Sequence, residues 1–464
     1  MSDGFVSVAG IKWGRRRSGL FDLRGAPDQI RGYYRQRIRV LARRDEMAYR
    51  TLKSIFHERD RAGADGEERS RRDSPAAIEW DLLIGEHSMF ALMTPQIVAL
   101  VERIMAYEPR IRHEWDGLPG RARDDYLDGM IIDEIQATNE IEQVRSTRKE
   151  ISAALKALAE EQAVGSRRFV EMVRLYLGIE EPDTRGPQTL DDIRTVYDAV
   201  TAGEISADDA PDGERFRAGP VFIESGSGTV HRGLSPESAI NDALTLMVAQ
   251  GRNDEIPLLI RAVVAHFVFE YAHPFYDGNG RTGRYLLALD LRQVLAPYAS
   301  LALSATLADN KDRYYRAFLD AEDPLNRGDL TPYVAVMLDL IAQAQHRLLV
   351  DLADRRQRIQ QLENRIRFLV DDDLAGNLGL PTHAMSDAED VGSLLYTLGQ
   401  AWLFDVNRAV KLQSLADAAG RSTQFIRPRL ALLDEAGVIE TVTRKPLRFR
   451  LSSRGAALLG VAPG

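Results

Sequence analysis

Apolar residues spaced three to four positions apart run through most of this chain and predict helix almost throughout. Residues 256–271 carry Leu259, Ile260, Val263, Val264, Phe267 and Val268 at helical spacing. After a Gly-rich break the pattern resumes with Tyr285, Leu286, Leu289 and Leu291. Further helices are expected over 30–57, 78–93, 95–107 with an end near Pro109, 126–158, 169–178, 191–202, 305–320 and 332–346. The first of these is very basic, with Arg31, Arg35, Arg37, Arg39, Arg43 and Arg44 on what reads as a solvated face. Residues 63–74 are charged and glycine-containing and read as loop. Leu352, Ile359, Leu362, Ile366 and Leu369 fall near a/d positions of a short heptad pattern, which reads as a linker helix on the core. Residues 371–390, with three consecutive aspartates and Pro381, form the expected boundary beyond it.

Two stretches leave the helical period. Pro220-Val221-Phe222-Ile223 and Thr229-Val230-His231 are β-prone runs around Ser225-Gly226-Ser227-Gly228, the pattern of a hairpin. Over 412–451, Leu412, Leu415 and Ala416, then Ile426, Leu430 and Leu433, predict two helices joined by the Ala419-Gly420-Arg421-Ser422 turn. Val438-Ile439 and Leu447-x-Phe449-x-Leu451 are strand-like, so this unit resembles a winged helix-turn-helix. Arg421, Arg427, Arg429, Arg444, Lys445, Arg448 and Arg450 make it basic enough for phosphate contacts, while protein docking is the other use of such a unit.

Composition narrows the classes. At 464 residues the chain is expected to form two or three domains, and a net charge of −9 excludes a protein that coats nucleic acid along its whole surface. No apolar run approaches the roughly 20 residues of a membrane span. The early Lys12 and Arg15 are not followed by the apolar stretch of a secretory signal, so a cytoplasmic location is expected. With no cysteine there is no disulfide, zinc-thiolate site or thiol nucleophile.

The chemistry concentrates in His273-Pro274-Phe275-Tyr276-Asp277-Gly278-Asn279-Gly280-Arg281-Thr282-Gly283-Arg284. Pro274 ends the preceding helix, and Gly278, Asn279 and Gly280 permit a tight loop that opens into the next one. Backbone amides in such a loop, at a helix N-terminus, make an anion site. Arg281 and Arg284 add charge suited to phosphate oxygens, Asp277 a hard carboxylate for Mg²⁺, and His273 a base that titrates near neutrality. Gly278, Gly280 and Gly283 also fit G-x-G-x-x-G, but no strand precedes them, which excludes a dinucleotide fingerprint. The set points to phosphoryl-group chemistry.

These twelve residues resemble the signature of the Fic family, His-x-Phe-x-Asp/Glu-Gly-Asn-Gly-Arg-x-x-Arg, with every signature position filled. The resemblance implies a mainly α fold: a Fic-type helical bundle with one β-hairpin flap, here followed by the small C-terminal winged unit. It implies transfer of AMP from ATP, with Mg²⁺, to a hydroxyl of a target protein and to the enzyme itself. His273 would be the base, Asp277 the metal ligand, and Gly278, Asn279, Gly280, Arg281, Gly283 and Arg284 the nucleotide cradle. Val221, Phe222 and Ile223 would belong to a flap that holds the target by strand addition. Asn310, Lys311, Tyr314 and Tyr315 resemble the helix that closes the family core near the adenine pocket.

Within 126–158, Met130, Ile135 and Ile141 would face a core with the carboxylates mostly outward. Thr138-x-x-x-Glu142 resembles the family's inhibitory motif, in which Glu142 would occupy Arg284 and withhold it from the γ-phosphate. Gln143 stands where that motif has glycine or asparagine, and its bulk is expected to loosen the clamp. The expected division is 1–120 (N-terminal helices), 121–345 (catalytic core with inhibitory helix), 346–404 (linker) and 405–464 (winged unit). Removal of AMP from a modified protein, with Glu142 aligning a water, and a DNA-binding regulator with a nucleotide-sensing core are the alternatives. A protein substrate is the expected partner. DNA at the C-terminal unit and a homodimer are left open, and no membrane is implied.

Overall fold

The computed structural model describes residues 6–8, 11–13, 49–159, 168–225, 228–379 and 388–462. The first part of the expected basic helix, 30–48, lies outside the described residues. What is seen of it is α1 (Leu52–Glu58), after a short strand pair, β1 (Val6–Val8) and β2 (Ile11–Trp13).

Two expectations in the N-terminal region are overturned. Residues expected as loop form α2 (Arg61–Arg72). Asp60 accepts the Gly63 amide at its start, and Arg71–Glu67 and Arg72–Glu68 pair four residues apart along it. The stretch expected as helix over 78–93 is instead the antiparallel hairpin β3 (Ala77–Ile84) and β4 (His87–Leu92). Ile78, Trp80 and Leu82 alternate with Glu79 and Asp81, a period of two, and Gly85 turns the chain at φ 63°. Phe90 exchanges backbone hydrogen bonds with Gly328 and Leu330, which ties the hairpin to the bundle.

α3 (Pro95–Asp116) runs past Pro109, its expected end, because buried Ile111 and Trp115 continue its apolar face. The 126–158 pattern resolves into α4 (Gly120–Ile141) and α5 (Arg148–Ala159). The carboxylates of α4 do not all face outward. Glu134 is 2% exposed, accepts the Ser304 amide at 2.9 Å and the Ser304 hydroxyl, and is pushed up to about 7 by burial. α6 (Val170–Gly178), α7 (Leu190–Val200) and the hairpin β5 (Phe222–Ser225) with β6 (Gly228–Arg232) lie where the patterns place them.

Next come α8 (Glu237–Gln250), α9 (Leu258–Ala272), α10 (Asn279–Leu291) and α11 (Pro297–Ser300). The single helix expected over 305–320 is two, α12 (Leu303–Asp309) and α13 (Lys311–Glu322). They part at Asn310, whose side-chain amide bonds back to the Thr306 carbonyl. α14 (Thr331–Asp371) is 41 residues long and passes residue 346 unbroken, so the core helix and the linker helix are one. It packs along α3 and, after α15 (Leu374–Leu378), along α16 (Ala388–Phe404).

The C-terminal unit comprises β7 (Val410–Lys411), α17 (Leu412–Ala418), α18 (Thr423–Glu435), β8 (Ile439–Arg444), β9 (Leu447–Leu451) and α19 (Ser453–Leu458). Its sheet has the order β7-β9-β8. Several of its basic side chains are engaged within the molecule: Arg421 with Asp390, Arg450 with Glu440, and Arg429 over the Phe425 ring.

The centre of the bundle is α9 and α10. α9 buries residues all round its circumference, including Leu259, Val263, Phe267 and Val268, as a helix enclosed on every side must. Each such large side chain contributes about 1.5–3 kcal/mol. α10 is buried from Asn279 to Leu289, and the loop between the two helices carries the motif.

Candidate active site

α9 ends at His273, which takes a left-handed conformation (φ 48°, ψ 61°) and donates its N–H to the Phe269 carbonyl. The loop then turns through Gly278 at φ 82°, a backbone state that favours glycine, and α10 starts without a side-chain cap. Asn279 does not face outward. Its carbonyl oxygen accepts the Phe275 N–H at 2.9 Å and its amide donates to the Phe275 carbonyl at 2.8 Å, so it closes the loop upon itself.

The loop has a second brace that the sequence did not disclose. Arg217 is fully buried and donates to four backbone carbonyls: His273 (2.7 Å), Gly219 (2.6 Å), Leu234 (2.7 Å) and Ala272 (3.2 Å). The base of the flap and the end of α9 are thereby fixed to each other. A buried arginine that meets only carbonyls has no periodicity or motif to betray it.

A cavity of about 380 Å³ opens beside His273. Its wall includes Glu142, Gly280 and Arg284 from the expected set, and Lys311, Tyr314, Tyr315 and Phe318 from α13. Lys311 donates to the Ile141 carbonyl at 2.5 Å, where it caps the end of α4. Burial, with help from His231 and Arg217, pushes His273 down to about 3, so its imidazole is neutral at physiological pH.

The two motif arginines are placed differently. Arg284 is buried; its Nε donates to the Thr138 hydroxyl at 2.7 Å, and its Nη2 to the Thr138 carbonyl at 3.0 Å and Glu142 Oε1 at 2.8 Å. The Glu142 carboxylate also lies over Gly280, where an added Cβ would collide with it. A carboxylate therefore occupies the mouth of the uncapped helix N-terminus. Arg281, expected on the phosphates, is turned inward against Glu204, which Arg168 also pairs at 2.7 Å. Arg281 is absent from the cavity wall, as are Gly278, Asn279, Gly283 and Asp277.

Asp277 is exposed on the loop, with Oδ1 accepting the Gly278 N–H at 2.6 Å. Among the described residues no three His, Cys, Asp or Glu side chains gather into a preformed metal cage. One carboxylate beside a phosphate cradle fits Mg²⁺, which keeps most of its shell for waters and phosphates. In the flap, Val221 precedes β5, Phe222 is 48% exposed, and the Ile223 backbone pairs with His231.

Sequence reasoning also missed Glu270 and the Gln143 geometry. Glu270 is half-buried in the cavity wall and packs on Gly283; its Oε1 has no hydrogen-bond partner among the described residues, and burial pushes its carboxyl up to about 8. Gln143 has φ 59°, and α4 ends in a Schellman cap: Gln143 N–H to Glu140 O at 3.1 Å and Val144 N–H to Asn139 O at 2.9 Å. The position after Glu142 is thus the left-handed residue of a helix cap, which accounts physically for a glycine or asparagine preference there.

The Fic/DOC family model matches residues 187–291, which span the flap and the motif but neither α4 nor α13. The protein adenylyltransferase fic-1 of Caenorhabditis elegans is 38% identical over 86 residues. That match takes in 18% of this chain and only 15% of the worm protein. Among solved structures, a Fic family protein from Desulfovibrio desulfuricans is similar at 23% identity, over 78% of this chain and 97% of that one, with a TM-score of 0.46. A Fic-1 fragment from C. elegans is similar at 18% identity, over 65% of this chain and 81% of that one, with a TM-score of 0.41.

Proposed function

Since residues 187–291 make this chain a Fic/DOC-family protein, we propose that it is a protein adenylyltransferase restrained by its own Glu142. The observation that carries the reading is the Glu142 carboxylate, seated on Arg284 and over the Gly280 helix start beside His273. A built-in anion there marks the place of a substrate anion.

In the released state the phosphates of ATP would take the amides at the start of α10 and the Arg284 guanidinium. Asp277 would hold Mg²⁺, which supplies charge neutralisation on the phosphates. Arg281, with Glu204, braces the loop from behind. The ring of the nucleotide fits the aromatic face of Tyr314, Tyr315 and Phe318. The target hydroxyl would attack the α-phosphorus: its oxygen bonds to phosphorus, the bond to the β-phosphate oxygen breaks, pyrophosphate leaves, and the hydroxyl proton passes to His273. Bound polyphosphate beside His273 raises the basicity that burial has lowered. The flap would align the target segment along the free edge of β5.

The test is the fate of label. With Glu142→Gly protein, α-phosphate label is expected on protein and γ-phosphate label is not; His273→Ala is expected to lose at least about 100-fold of the transfer. Label from the γ-position would mean a kinase, and release of AMP from a premodified target without transfer would mean the hydrolytic direction. The DNA reading of residues 405–464 is checked separately, by salt-dependent, sequence-selective binding to duplex.

A further inference from the structure

Among the described residues of the flap, His231 lines the cavity, and the proposed transfer leaves its chemistry unassigned. It sits on β6, is 8% exposed, and places Nδ1 at 2.6 Å from Glu322 Oε2 at the end of α13. With Nδ1–H donated to that carboxylate, the neutral ring presents the lone pair of Nε2. Nε2 is buried and has no hydrogen-bond partner among the described residues, and both His231 and Glu322 line the cavity. Leaving a buried acceptor without a hydrogen bond is unfavourable, and a ligand donor removes that penalty.

Position decides which donor. The His231 and His273 rings lie 5.5 Å apart, centroid to centroid. If His273 addresses the α-phosphorus, a group one ring away meets the next unit outward from that phosphorus. Phosphate oxygens are acceptors and do not suit a lone pair. The attacking hydroxyl already gives its proton to His273. The remaining donors at that distance would be the sugar hydroxyls, with the base taken farther out by the apolar wall of Tyr315, Phe318 and Leu319.

We infer that His231, oriented by Glu322, accepts a hydrogen bond from a ribose hydroxyl of the bound nucleotide and so selects ribonucleotide over deoxynucleotide. It is a specificity-determining residue held in place by Glu322, and the inference rests on the nucleotide site proposed above.

The experiment uses full-length Glu142→Gly protein with ATP, 2′-deoxy-ATP and 3′-deoxy-ATP, reading AMP transfer and equilibrium binding side by side. The expected result is a preference for ATP over one analogue of about 5- to 10-fold, the worth of one neutral hydrogen bond. Which analogue suffers identifies the hydroxyl. His231→Ala and, independently, Glu322→Gln are expected to bring that ratio to within about twofold, with ATP binding weakened and binding of the deoxy analogue unchanged. Loss of fold in one variant leaves the other, with melting curves, to decide. Equal use of all three nucleotides, or a ratio that survives both substitutions, overturns the inference. An absence of transfer with the binding ratio intact counts against the adenylyltransferase reading and leaves the ribose contact standing.

Discussion

Arg281 and Arg284 leave the same helix three residues apart, both buried and both paired with a glutamate, yet their surroundings differ in kind. Glu204, the partner of Arg281, has its side chain 8% exposed and is shared with Arg168. Glu142, the partner of Arg284, is 28% exposed, lines the cavity and sits at a helix end whose next residue is in the left-handed region. The first pair is enclosed and belongs to the fold. The second is open on one side and is the pair that, in the proposed function, a polyphosphate would replace. Two salt bridges of similar geometry thus differ in whether anything can compete for them.

The largest expected effect tests the enclosed pair. Glu204→Ala leaves Arg281 charged and buried without its counter-ion, which costs about 3–5 kcal/mol of stability. Denaturant unfolding is expected to show that loss, together with loss of nucleotide binding. Glu142→Gly should cost less stability, about 1.5–3 kcal/mol, while AMP transfer rises about 10- to 100-fold. That range corresponds to removing a charge-assisted hydrogen bond of about 1.5–3 kcal/mol. Equal destabilisation by the two substitutions would erase the distinction between them.

Gln143 sharpens the comparison from the other side. A non-glycine residue in the left-handed region costs about 1–2 kcal/mol, part of which is offset by the added freedom of glycine when unfolded. Gln143→Gly is therefore expected to stabilise the protein by about 0.5–1 kcal/mol and to lower basal transfer a few-fold by firming the end of α4. Higher transfer in that variant would contradict the cap argument.

An effect confined to higher pH concerns Glu270, which lines the cavity with His273 and Arg284. Its carboxyl is raised from 4.5 to about 8 by burial, so the folded state keeps a proton that the unfolded chain releases. Stability therefore falls as pH rises from 4.5 towards about 8. Glu270→Gln should raise the melting temperature near pH 8 and change it little near about pH 5, as melting curves at the two values would show.

The legibility of these features followed their physical origin. The motif announced itself because turn, anion site and charge fall within twelve consecutive residues. The helical bundle followed from apolar spacing, which is a local property. Arg217 and Glu204 escaped notice because their roles depend on backbone carbonyls and a counter-charge brought near only by folding. The β3–β4 hairpin is hard to see because Ile78, Trp80 and Leu82 stand in a helix-rich chain, although their alternation and Gly85 favour a strand and turn. The α2 helix was obscured by its glycines, and its support lies in charges four residues apart. Helix ends at Pro109 and at 346 were misplaced because burial on both sides carries α3 and α14 through them.

The central claim is that Glu142 restrains an AMP-transferring site built on His273. Intact-protein mass spectrometry of wild type, Glu142→Gly, His273→Ala and the double variant, each incubated with Mg²⁺ and ATP, addresses it most directly. An AMP-sized gain that is small in wild type, large in Glu142→Gly and absent in both His273 variants is the predicted result. A gain of equal size in wild type and Glu142→Gly, or one that persists without His273, would contradict it.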